Sequence, residues 1–194
     1  MNGSAGKDAI RRKYDGIAAC YSSRYADADA IARRQVALVH RWGHRMEPGS
    51  TVLEIGCADG LVTEALVAAG FVVTAVDLSP AMIDAAGRRL SRRGLSAELR
   101  VADVEDLAID HPFDVVLAVM WNFYAYVKDV EPVLSRLAGC ARVKLLIDAS
   151  PRLVAPPKAT AAVRRAGFAD VRWRPMLVPQ RFRLPRGAGR LLAT

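Results

Sequence analysis

Through the middle of the chain, short apolar runs alternate with amphipathic stretches at a steady pace. Thr51 to Ile55 is a compact apolar run with Pro48-Gly49 before it and Gly56 after it, the mark of a short buried strand. Leu61 to Ala69 suits a helix ended by Gly70, and the β-branched run Phe71 to Val76 predicts a second buried strand closing at Asp77. Ser79-Pro80 then offers an N-cap and a proline at the first helical position, opening a helix whose Met82, Ala86 and Leu90 face inward. Ala97 to Val101 and Phe113 to Val119 predict strands three and four. Val130, Val133, Leu134 and Leu137 fall at i, i+3, i+4 and i+7, with Asp129 as N-cap and Gly139 just past the end, and Val143 to Ile147 predicts strand five.

The flanks read differently. From Lys13 to Tyr25, the residues Tyr14, Ile17, Ala18, Tyr21 and Tyr25 recur at helical spacing and give one aromatic face; a second helical stretch covers Ile31 to Met46. After strand five, Ala159, Ala162, Val163 and Ala166 make a helical face closed by Gly167, and Val171-Arg172-Trp173-Arg174 alternates apolar with basic, as a half-wet strand would. Apolar strands alternating with helices predict an α/β fold, a doubly wound, mostly parallel sheet with helices on both faces and an N-terminal helical appendage. Neither an internal repeat nor a linker interrupts the chain, so residues 1–194 read as one domain. Its parts are leading helices (1–47), a core (50–150) and a C-terminal part (151–194).

Composition changes this picture in two places. The net charge of +8 is not spread evenly: residues 1–150 carry 18 Lys and Arg against 19 Asp and Glu, whereas residues 151–194 carry 10 against Asp170 alone. Any basic surface therefore belongs to the last quarter of the chain. Cys20, Cys57 and Cys140 are odd in number, far apart and without a C-x-x-C pair, which argues against a disulfide framework and against a metal site, and fits a reducing cytoplasm. No stretch approaches the roughly 20 apolar residues a membrane span needs. The 194 residues, 52% of them hydrophobic, suffice for one well-filled core.

In doubly wound sheets, ligands sit outside the carboxyl ends of the strands, where strand order reverses. Here strand one ends in Glu54-Ile55-Gly56-Cys57-Ala58-Asp59-Gly60, strand two in Val76-Asp77 and strand three in Val101-Ala102-Asp103. Three acids at three successive strand ends each have a role if the ligand is an adenosine with a charged tail. Gly56 lets backbone approach it, and Gly60 opens a helix whose free N–H groups favour a carboxylate. Glu54 can face an ammonium group; Asp77 can accept from both ribose hydroxyls; Asp103 can accept from an exocyclic amine. A nicotinamide dinucleotide would use Asp77 equally well. However, its G-x-G-x-x-G fingerprint needs a glycine where Ala58 stands, and no G-x-x-x-x-G-K-[ST] loop is present.

The ordered set "VLEIGCADG", "VTAVDLSPAMI", "RVADVEDL" and "FDVVLAVM" resembles the class I S-adenosylmethionine-dependent methyltransferases over about residues 50 to 150. Their first motif is commonly E-x-G-x-G-x-G; Glu54, Gly56 and Gly60 match it and Ala58 departs from it. The resemblance implies S-adenosyl-L-methionine as cofactor and S-adenosyl-L-homocysteine as product. It places Glu54, Gly56, Cys57, Ala58 and Gly60 around the methionine part, Asp77 on the ribose, Leu78 and Met82 about the adenine, Asp103 and Val104 at its edge, and Val119 at the end of strand four. It also implies a closing antiparallel strand, for which "GRLLAT" at the C-terminus is the candidate; an incomplete sheet edge there would favour a homodimer or a partner chain.

Methyl transfer from a sulfonium needs alignment more than a dedicated base. His40, His44 and His111 read as surface or helix residues, leaving Tyr14, Tyr21 and Tyr124 as the candidate catalytic groups. In "MWNFYAY" after strand four, Trp121, Asn122, Tyr124 and Tyr126 are the expected substrate wall. The segment lacks [DN]-P-P-[YFW], the usual mark of amino-group methylation on a base. Aromatic walls suit a small organic acceptor, methylated at oxygen or else at nitrogen, and the basic tail would suit an anionic one. One rival is an RNA-directed enzyme using Arg172, Arg174, Arg181, Arg183, Arg186 and Arg190; another is a cofactor-binding partner subunit without catalysis. Arg88, Arg89, Arg92 and Arg93 read as the wet face of a helix.

Overall fold

The computed structural model describes residues 3–119, 123–150 and 152–173. Five strands form one open sheet: β1 (Thr51–Ile55), β2 (Val72–Asp77), β3 (Glu98–Val101), β4 (Phe113–Ala118) and β5 (Ala141–Ile147). They lie in the order β3-β2-β1-β4-β5 and every adjacent pair is parallel. Strands are added outward from β1 on one side as β2 and β3, and on the other as β4 and β5. The reversal point lies between β1 and β4, and the crevice it creates opens at the carboxyl ends.

Period-two alternation divides the core. Leu53, Ile55, Val116 and Ala118 point to one face of the sheet, where they pack with Phe123, Val133, Leu134 and Leu137. Those last residues belong to α5 (Phe123–Tyr126) and α6 (Val130–Cys140), and α7 (Pro156–Arg165) adds Ala162 to the same cluster. Val52, Val73, Ala75, Val115, Leu117 and Leu146 point to the other face. They meet Leu38 and Val39 of α2 (Ala28–Arg41) and Leu66 of α3 (Leu61–Ala68). β3, at an edge, has no buried residue.

Lys144 is a cation inside this core. From β5 its Nζ donates to the carbonyls of Val39 at 2.8 Å, Trp42 at 2.9 Å and His44 at 2.5 Å, satisfying carbonyls that the end of α2 would leave without partners. Its pKa is lowered by burial. Asp114 ties β4 to β1 in a similar way, accepting from the Thr51 backbone N–H at 2.8 Å and from its hydroxyl at 2.9 Å.

The flanks depart from the expected elements. The helix read over Lys13–Tyr25 is instead α1 (Gly3–Asp15), followed by single 3-10 turns at Ala18–Cys20 and Ser22–Arg24. Gly16 ends the helix, and the tyrosine spacing continues through a strap rather than along one helix. α2 starts at Ala28, where Asp27 accepts from Ala30 N at 2.8 Å, three residues earlier than expected, and ends at Arg41 rather than Met46. Gly139 lies inside α6, not beyond it, and Asp129 makes no side-chain cap bond. No strand runs through Val171–Trp173; Arg172 pairs with Asp170 at 2.7 Å, and the Trp173 indole donates to Thr160. Trp121, Asn122, "GRLLAT" and the arginines from Arg174 onward lie outside the described residues. No helix among the described residues is long and apolar enough to cross a membrane.

Candidate active site

The loop after β1 turns back on the sheet through two bonds, with Gly56 N and Cys57 N both donating to Val76 O at 2.8 and 3.0 Å. Gly56, Ala58 and Gly60 all take positive φ, at 73°, 50° and 75°. Ala58 is the only non-glycine residue to do so among those described, and it does so at the place where the E-x-G-x-G-x-G pattern has its middle glycine. The left-handed backbone persists there at a cost of about 1–2 kcal/mol for a residue with a Cβ. Gly60 is needed for packing as well as conformation: a Cβ on it would lie 2.7 Å from the Ala86 Cβ of α4 (Pro80–Ser91), so α3 and α4 could not come this close.

Asp77 holds this loop to the next one. One of its carboxylate oxygens accepts from Ala58 N and the other from Ser79 N, each at 2.9 Å, and each oxygen keeps a lone pair for a ligand. Burial pushes its pKa upward, opposed by these backbone bonds. The Ser79 hydroxyl caps α4 as expected, accepting from Met82 N at 3.1 Å, and donates to Asp15 at the end of α1 at 2.5 Å.

A cleft open to solvent lies over these strand ends. Its floor is Ile55, Gly56, Ala58, Val76, Asp77, Leu78, Ala102, Asp103 and Val104; its roof and wall are Lys7, Ile10, Tyr14, Tyr21 and Tyr126. The tyrosines form one cluster. The Tyr14 and Tyr126 hydroxyls are 2.8 Å apart, the Tyr25 hydroxyl donates to Tyr21 at 3.1 Å, and the Tyr14 and Tyr21 ring centres are 6.2 Å apart. Burial, reinforced by the neighbouring phenols, raises the pKa of Tyr14 and of Tyr21, so both stay neutral across the physiological range.

Six of the expected cofactor residues thus line the cleft: Gly56, Ala58, Asp77, Leu78, Asp103 and Val104. The others do not. Glu54, expected to face an ammonium group, is 5% exposed and turns toward α3, where the Thr63 hydroxyl donates to it at 2.6 Å. Burial, with the Asp77 charge adding to it, pushes its pKa up to about 8. Cys57 is buried in the core with its thiol pKa raised by burial, and Met82 is buried beneath the N-terminus of α4. Gly60 acts through helix packing, Val119 packs against the core, and Tyr124 packs against the α5–α6 side of the core rather than on the cleft.

Lys7, Arg89 and Ser22 are contributors that the sequence reading did not assign to the site. Lys7 pairs with Asp103 at 2.5 Å and with Glu105, and the two carboxylates outweigh burial to hold its pKa above the ordinary lysine value. Arg89, read as solvent-facing, donates from Nε to Asp59 O at 2.8 Å and from Nη2 to the Asp59 carboxylate at 2.9 Å and to Ser22 Oγ at 3.1 Å. Ser22 in turn donates to Asp59, so strap, loop and α4 meet at one ionic node. Nothing local in the sequence marks these contacts, which join residues 30 to 98 positions apart.

Residues 52–144 match the model of the methyltransferase domain family described as "Methyltransferase domain". That segment, just under half of the chain, is similar to the class I S-adenosylmethionine-dependent methyltransferases. Among relatives of this domain, the ubiquinone biosynthesis O-methyltransferase of Xanthomonas euvesicatoria pv. vesicatoria (strain 85-10) is 35% identical over 105 residues, covering 50% of this chain and 44% of that protein. The chain thus spans less than half the length of that curated relative. The TehB-like SAM-dependent methyltransferase of Corynebacterium glutamicum ATCC 13032 superposes with a TM-score of 0.57 at 20% identity, over 84% of both chains. The [4+2]-cyclase SpnF superposes with a TM-score of 0.64 at 16% identity, over 83% of this chain and 72% of that one. At such identities the two likenesses show the fold alone.

The cleft suits the methyltransferase cofactor in the chemistry it offers. Two carboxylates with free lone pairs can take the ribose diol and an exocyclic amine, backbone at Gly56 and Ala58 is open to close approach, and neutral aromatic rings can face a sulfonium.

Proposed function

We propose that the chain is an S-adenosylmethionine-dependent methyltransferase acting on oxygen, or else nitrogen, of a small organic acceptor. The observation that supports it best is the cleft itself, which Asp77 and Asp103 line together with Tyr14, Tyr21 and Tyr126. Asp77 binds the ribose hydroxyls, Leu78 packs on the adenine, and Asp103 with Val104 holds the adenine edge. When bound, the cofactor brings a methyl group on a sulfonium that is already activated and has its own leaving group. What this chain contributes is orientation and exclusion of water: the rings of Tyr14, Tyr21 and Tyr126 enclose the methyl end, and their hydroxyls can hold the acceptor atom in line.

Tyr14 and Tyr21 serve as neutral hydrogen-bonding groups, not as bases, because burial keeps their protons on. Acceptors that are already nucleophilic near neutral pH, such as acidic hydroxyls or carboxylates, fit this site. Its relatives named for ubiquinone biosynthesis favour oxygen. Incubation with isotopically methyl-labelled cofactor and a panel of phenols, enols, carboxylic acids and amines tests the proposal. Label in an oxygen acceptor supports it; binding of cofactor with no transfer to any acceptor, while a relative transfers label under the same conditions, overturns it.

A further inference from the structure

We propose that Lys7 is a cofactor-positioning residue, which pins α1 across the adenine end of the cleft through Asp103 and Glu105, so that the cofactor enters and leaves only when this ion pair opens. The proposal rests on the cofactor assignment of the cleft given above. Between residues 6 and 15, α1 has no buried side chain. It is held to the domain by polar ties instead. Two of them, Tyr14 to Tyr126 and Asp15 to Ser79, lie in its last turn, and among the described residues Lys7 holds the other end. Lys7, Ile10 and Tyr14 share one helical face, and all three line the cleft, so α1 lies along it as a roof. Seven residues of helix separate Lys7 from Tyr14, about 10 Å at 1.5 Å per residue.

The two carboxylates that receive Lys7 are fixed from the far side. Glu105 accepts from Lys128 N at 2.8 Å and Asp129 N at 3.3 Å. Arg136 donates to Val104 O at 2.9 Å and Glu105 O at 2.7 Å, and Glu105 N donates to Asp103 Oδ1 at 2.9 Å. Lys7 is therefore the moving half of the pair. Asp103 presents about four acceptor sites, of which Glu105 N and Lys7 take two, leaving capacity for an exocyclic amine beneath the closed helix. A partly exposed ion pair of this kind opens readily and weakens with salt, which suits a gate better than a permanent fastening.

The experiment measures association and dissociation rates of S-adenosylhomocysteine on the full chain by surface plasmon resonance, at about 0.05 and 0.5 M salt, for wild type, Lys7→Met and Lys7→Arg. Wild type should exchange faster at the higher salt; Lys7→Met should speed both rates by about tenfold, with little change in Kd, and should abolish that acceleration by salt. Lys7→Arg should restore slow, salt-sensitive exchange. Hydrogen exchange of the α1 amides in the free protein should rise in Lys7→Met and not in Lys7→Arg. Rates within twofold of wild type in Lys7→Met, or salt sensitivity that survives in it, overturn the proposal. If wild type does not bind S-adenosylhomocysteine at all, it is the cofactor assignment that fails, which the first titration shows before any variant is compared.

Discussion

Glu54→Gln should make the chain's stability less dependent on pH, in a direction opposite to that of most carboxylates. The side chain is 5% exposed, accepts a hydrogen bond from Thr63, and its pKa lies at about 8 against an ordinary value of 4.5. A folded-state pKa above the unfolded one contributes stability that is complete below about 4.5 and is lost as pH rises toward 8. Each pH unit within that window is worth about 1.4 kcal/mol. Between pH 5.5 and 7.5 the wild type should therefore lose about 2–3 kcal/mol relative to Glu54→Gln, whose amide keeps the shape without a charge. Urea unfolding of both proteins across that range, compared as a difference so that other titrating groups cancel, reads the effect. Parallel stability curves would refute the reasoning, because they would mean that Glu54 ionises in the fold as easily as in the unfolded chain.

Three further outcomes follow from the geometry. Ala58→Gly relieves a left-handed alanine and, after the entropy that glycine adds to the unfolded chain, should raise stability by about 1 kcal/mol, a gain of roughly 2–4 °C in thermal unfolding; a fall in Tm would contradict it. Lys144→Met leaves the carbonyls of Val39, Trp42 and His44 without their donor and should cost about 2–4 kcal/mol in urea unfolding, whereas an unchanged midpoint would show that water replaces the ammonium. Tyr14→Phe removes a hydroxyl bonded to Tyr126 but no base, so kcat should fall by less than about tenfold and the pH profile should keep its shape; loss of the rise in rate with pH in the variant would make Tyr14 the proton acceptor after all.

Local signals explain which parts were legible in the sequence. β1 was readable to the residue because Pro48-Gly49 and Gly56 bracket an unbroken apolar run, and α4 because Ser79-Pro80 carries its start in two residues. The cleft floor followed, since strand ends and floor are the same residues. α1 was not readable: it has no apolar stripe, being held by ions and hydroxyls, while the periodic tyrosines that drew attention lie partly in 3-10 turns after Gly16. Arg89 reads as a solvent charge, and Lys7 carries no signal at all, because the carboxylates they meet, Asp59 and Asp103, are brought near only by the folded sheet. Glu54 was placed correctly at a strand end, but the direction of its side chain depends on Thr63, in a helix the motif does not specify.

The central claim is that the cleft over Asp77 and Asp103 holds the methyltransferase cofactor. Calorimetric titration of S-adenosylhomocysteine into wild type and Asp77→Asn tests it most directly. The account predicts saturable one-to-one binding by wild type and affinity weakened by about 2 kcal/mol, roughly thirtyfold, in Asp77→Asn, since a charged acceptor for the ribose is lost. Equal affinity in the two proteins, or no binding by wild type, would contradict it.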